Sequence, residues 1–156
     1  MAGVVFLDSS VLFNLLDVPA KNGDRTAVVA KFQRLAGEGY TFVFPVTAVI
    51  ETGNVIAQLS DGNVRRTCME RFVEWLRKAL TTTAPLAVSG VPWDESFLTT
   101  LIDGGGDRMS LVDFATAGLG SGDASLLLER DRYRGKVPSA TPISLWTLDE
   151  TLGSFA

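Results

Sequence analysis

Val4-Val5-Phe6-Leu7-Asp8-Ser9-Ser10 is the stretch that decides the fold. Its first four residues are apolar without alternation, the pattern of a strand buried on both faces, as in a parallel sheet. The run stops at an acid and two hydroxyls, residue types suited to capping the helix expected over 11–16. A strand that hands an acid to a helix start is the opening unit of an α/β fold. In open α/β sheets, ligands bind beyond the carboxyl ends of the strands, where Asp8 stands.

Working outward, the periodicity predicts helices over 26–35, 46–59, 61–80, 93–102, 110–117 and 124–133. In the helix over 61–80, Phe72, Val73, Trp75 and Leu76 are expected to face inward. Strands are expected over 40–44, where Pro45 stops the run, over 86–88 and over 142–147, which leads into Asp149. A break over 81–85 separates the long helix from the third strand. Strands alternating with helices imply a three-layer α/β/α sandwich around a mostly parallel central sheet, read as one domain over 1–156.

Composition narrows the chemistry. The 156 residues are 46% hydrophobic and 21% charged, which fits a packed core and excludes disorder. There is no histidine, so Ser-His-Asp and Cys-His catalysis, imidazole zinc sites and histidine bases are excluded together. A single cysteine, Cys68, allows no internal disulfide and is read as a packing residue in a reducing compartment. Asp8 interrupts the first apolar run, no basic segment precedes it, and no apolar run approaches membrane-spanning length. A soluble, cytoplasmic protein is expected.

Eighteen acids outnumber 14 bases, for a net charge of −4, which argues against passive adhesion to nucleic acid. Nine of the bases fall in two short stretches. One holds Arg65, Arg66, Arg71, Arg77 and Lys78, the other Arg130, Arg132, Arg134 and Lys136. They are either solvated helix faces or local basic rims.

Chemistry must therefore rest on carboxylates. Glu51 is the only charged residue in the helix over 46–59, on a stripe with Thr47, Asn54 and Gln58. A lone carboxylate on a nearly all-round apolar helix is costly to bury without a cation or donors. Asp8 and Asp149 follow the first and last strands. Asp123 follows a glycine-rich loop at a helix start, where it is either a plain cap or a site acid, and Asp113 competes with it for that place. Asp131 could likewise replace Asp149. Carboxylates converging on one mouth repel unless a cation fills the gap, and oxygen-only ligation selects Mg²⁺ or Mn²⁺. Such an ion can polarise a phosphoryl oxygen and activate water without histidine, which points to phosphodiester hydrolysis.

These residues resemble the PIN-domain nucleases. The likeness runs through VVFLDSS at 4–10, TAVIETGN at 47–54, GDASLLLE at 122–129 and WTLDETL at 146–152. Their order, strand-Asp, helix-Glu, helix-Asp, strand-Asp, covers nearly the whole chain. The resemblance implies an α/β/α sandwich whose Asp8, Glu51, Asp123 and Asp149 bind Mg²⁺ or Mn²⁺ and cut RNA. It gives Ser9 and Thr147 supporting roles as hydroxyl neighbours of the acids. Asn54 joins them by its place on the Glu51 stripe, and Arg65, Arg66, Arg130 and Arg132 become candidates for contacting RNA. Many members are VapC-type toxins, so an antitoxin that masks the acids is an implied partner, and a homodimer is left open. The chain departs from the pattern in its extra length, placed over 61–106, and in the ambiguity of its third acid. Competing readings are a PIN-like interaction module without turnover and a metal-dependent phosphatase acting on a small substrate.

Other motifs carry less. The glycines at 118, 120 and 122 lack the spacing and the Lys-Ser or Lys-Thr pair of a phosphate loop. Ser10 stands where an aspartyl-phosphate enzyme would need a second acid. Trp75, Trp93 and Trp146 are expected in the core rather than on a base-stacking platform.

Overall fold

The computed structural model describes residues 2–81 and 83–156; residue 82, within the expected break, and residue 1 lie outside them. The chain runs β1 (Val4–Leu7), α1 (Ser9–Leu15), α2 (Arg25–Gly37), β2 (Thr41–Phe44), α3 (Val46–Ala57), α4 (Gly62–Leu80) and β3 (Leu86–Val88). It continues through α5 (Glu95–Asp103), α6 (Leu111–Thr116), α7 (Ser121–Tyr133), a 3₁₀ turn (Arg134–Lys136), β4 (Ile143–Trp146) and α8 (Glu150–Gly153).

The four strands form an all-parallel sheet in the order β3-β2-β1-β4. Its two faces are read directly from the alternation of side chains. Val5 and Leu7 of β1, with Phe42, Phe44, Leu86 and Trp146, pack under α1, α2, α3 and α4. Val4, Phe6 and Val43 point the other way, toward Ala87, Tyr133, Ile143 and Leu145. Residues of α5, α6, α7 and α8 close a second cluster beside that face. All four residues of β1 are buried, as a strand covered on both faces requires. Fully burying a side chain such as Phe6 or Leu7 contributes about 1.5–3 kcal/mol each. Helices on both faces of the sheet make the expected three-layer sandwich.

The strand order carries the functional geometry. From β1 the chain steps to β2 and then β3 on one side, and β4 returns to the opposite side of β1. The direction of winding therefore reverses between β1 and β4, and the carboxyl ends of those two strands flank the crevice in which open α/β sheets bind ligands.

Three local expectations are corrected. Val73 is 37% exposed, because the inward stripe of α4 runs through Cys68, Phe72 and Ala79, and Val73 falls beside it. The last long helix begins at Ser121 with Gly120 as its cap, so Asp123 sits inside the first turn rather than capping it. Trp93 is 43% exposed, whereas Trp146 is buried and Trp75 packs against Phe32 and Phe44. Cys68 is buried and free.

Candidate metal centre

Asp8 follows β1 and takes the cap position of α1, yet its side chain makes no capping bond. Its carboxylate instead accepts two hydroxyls on one oxygen. Ser10 Oγ donates to Oδ2 at 2.7 Å and Thr147 Oγ1 donates to the same atom at 2.8 Å. The Thr147 hydroxyl in turn accepts the Asp149 N–H at 3.0 Å, and Ser10 Oγ accepts the Leu148 N–H at 3.0 Å. These bonds lash the end of β4 to the end of β1, with Asp8 at the bottom of the crevice, 4% exposed. Asp149 lies at its exposed rim, where it caps α8 by accepting the Leu152 N–H at 3.0 Å.

Glu51 reaches the same mouth from α3. Ser9 Oγ donates to its Oε2 at 2.8 Å, which joins the start of α1 to the middle of α3. Its other oxygen lies so close to the start of α7 that a Cβ on Gly122 would approach it to 2.9 Å. Gly122 thus lies directly beside the Glu51 carboxylate, and the next residue is Asp123. Burial pushes the Asp123 carboxyl up to about 6, and the negative charges of Asp8, Glu51 and Asp149 push in the same direction. Asp123 therefore senses all three other acids, which arrive from β1, α3 and β4.

The alternatives fall elsewhere. Asp113 is exposed and closes a capping box with Ser110 at the start of α6. Asp131 pairs with Arg108 at 2.7 Å and with Arg130 at 3.1 Å. Asn54 is exposed and makes no hydrogen bond among the described residues. Of the basic candidates, Arg66 pairs with Glu70 along α4 and Arg65 is exposed on the same helix. Arg130 is held by Asp131, and Arg132 donates to Ser96 and Thr100 of α5.

Two residues at or beside the site escape sequence reasoning. Ser10 shares Asp8 with Thr147, and its signal was its place two residues beyond the acid. Glu129, the last residue of GDASLLLE, is 0% exposed. It accepts the Val46 N–H at 3.0 Å at the first turn of α3 and Ser89 Oγ at 2.9 Å, and the Trp93 indole nearby also favours its charged form. Burial pushes its carboxyl up while these donors pull it down. Glu129 thereby fixes the start of the helix that carries Glu51.

Oxygen is the only donor type at the mouth, the set that suits Mg²⁺ or Mn²⁺. Among the described residues no three acids are gathered tightly enough to hold an ion as they stand. Ser9 engages Glu51, two hydroxyls engage Asp8, and a helix cap engages Asp149. The residues fit a hard cation in the chemistry of their donors and in their mutual repulsion. No helix among the described residues is long and apolar enough to cross a membrane. Neither protein families nor curated proteins nor solved structures offer a match to the chain.

Proposed function

We propose that the protein is a Mg²⁺- or Mn²⁺-dependent endoribonuclease of PIN type, with Asp8, Glu51, Asp123 and Asp149 as the metal-binding acids. The observation that carries this reading is the raised carboxyl of Asp123 beside three other acids at the reversal point of the sheet. Carboxylates crowded without a basic partner favour a cation in their midst. A bound ion would polarise the scissile phosphate and supply activated water. Asp8 and Asp123 would hold it from the crevice, Glu51 and Asp149 from the rim. Ser9, Ser10 and Thr147 orient carboxylates by hydrogen bonds already in place, the supporting role that outer residues play around metal ligands. The same reading is compatible with a cytoplasmic toxin of a toxin–antitoxin pair, in which a partner antitoxin would mask the acids.

A second reading is a PIN-like interaction module without turnover. It is favoured by the hydrogen bonds that already occupy Asp8, Glu51 and Asp149. Incubating a mixed structured RNA with the purified protein in Mg²⁺, in Mn²⁺ and in EDTA separates the two. Metal-dependent cleavage lost in Asp8→Asn supports the nuclease. Metal binding without cleavage under any condition supports the module.

A further inference from the structure

Beside Glu51 lies a cavity of about 360 Å³ between α3, α5 and α7, within the size range of ligand pockets. Ile50, Trp93 and Leu101 give it apolar walls, and Thr47, Ser121 and Ser125 give it hydroxyls. Glu51 belongs both to this wall and to the carboxylate mouth, so the cavity opens directly on the candidate metal centre. Trp93 is not an idle surface aromatic. Its ring stacks on buried Phe97 at 4.7 Å and 18°, and its indole lies near Glu129, whose charged form it favours. With one face on Phe97, 43% of the residue remains exposed. The hydroxyls are not all consumed by the fold. Thr47 Oγ1 is buried without a partner among the described residues and Ser125 Oγ donates to the Ser121 carbonyl at 2.7 Å, but the exposed Ser121 side chain makes no hydrogen bond among those residues.

We propose that this cavity binds an unpaired base of a single-stranded RNA, stacked on Trp93, next to the phosphate held at the carboxylate mouth. This rests on the ribonuclease reading and narrows its substrate to RNA with at least one unstacked nucleotide flanking the cut. An exposed indole is a platform on which single-stranded nucleic acid stacks its bases, and the exposed Ser121 hydroxyl can meet a base edge. An acidic protein gains in this way an affinity for RNA that does not depend on net charge.

The test measures binding of a labelled single-stranded oligoribonucleotide to Asp8→Asn protein in Mn²⁺ by fluorescence anisotropy. Adding Trp93→Ala is expected to weaken binding about 5- to 100-fold, the range of base–aromatic stacking. Trp93→Phe, which keeps a ring, should fall between. An abasic nucleotide at one position should weaken binding to the Trp93 protein and leave the alanine variant indifferent. Because the alanine change also removes the indole beside Glu129, unaltered protein is irradiated with 5-iodouridine RNA, and a crosslink on the peptide containing Trp93 is expected. Equal affinities for the Trp93 and Ala proteins, or crosslinks confined to other peptides, overturn the base pocket and leave it to another occupant such as an apolar protein segment. Where unaltered protein still cleaves RNA with metal, only the pocket falls. Absence of both binding and cleavage overturns the nuclease reading with it.

Discussion

Two acids of α7, Asp123 and Glu129, lie within two turns of each other and differ in what surrounds them. Both have carboxyls raised by burial. Glu129 is the more buried, and it has two hydrogen-bond donors, a helix-start N–H and a serine hydroxyl. Asp123 has no such set and faces three more carboxylates instead. Burial alone therefore does not mark a functional acid. The balance of donors against like charges divides one helix into an anchoring end and an end crowded by like charges, the one the proposed metal centre would use.

The largest effect should come from Asp8, which faces Asp123 across the acidic mouth. Asp8→Asn is expected to lower RNA cleavage by roughly 10²-fold or more, the scale of losing one preorganised electrostatic group. Retained cleavage would move the chemistry away from this mouth.

At the anchoring end, Glu129→Leu leaves the Val46 N–H and the Ser89 hydroxyl without their acceptor. The expected loss of stability is about 2–5 kcal/mol, since each buried donor left unpaired costs about 1–3 kcal/mol. Urea denaturation measures it, and a loss below about 0.5 kcal/mol would place Glu129 with ordinary surface acids.

Asp123 should behave in the opposite sense. Its folded carboxyl titrates at about 6 against an ordinary value of 3.8. Between those values the folded protein binds more protons than the unfolded chain, so stability falls as pH rises through that window. The penalty is complete above about pH 6 and absent below about pH 4. Asp123→Asn should remove that decline and raise Tm above pH 7 by a few degrees, at about 2–4 °C per kcal/mol. Saturating Mn²⁺ should do the same for the unaltered protein. A metal-free stability that is flat from pH 4 to 7 would contradict the crowding of the acids.

The smallest effect belongs to charges outside both regions. Arg66 and Glu70 pair on exposed α4 with side chains 81% and 63% accessible. Arg66→Ala should change stability by no more than about 0.5 kcal/mol by the same denaturation assay.

Much of this was legible in the sequence because the relevant signals are local. The apolar run at 4–7, the isolated Glu51 and the acids following the first and last strands all lie where the pattern places them. What escaped depends on packing between distant segments. Trp93 looked like core because its composition is that of core, and only the fold shows that α5 and α3 leave one side of it open. Glu129 reads as the polar end of a leucine run. Its donors come from residues 83 and 40 positions away, which no periodicity reports. The choice between Asp113 and Asp123 likewise depends on which helix start lies beside Glu51, and it is Gly122, the residue before Asp123, that does.

Calorimetric titration of Mn²⁺ into the protein at pH 7.5, alongside Asp8→Asn, tests the central claim most directly. Saturable binding that weakens at least about tenfold in the variant, a difference of about 1.4 kcal/mol, is the expected result. No binding to either protein, or equal binding to both, would contradict a metal centre built on these four acids.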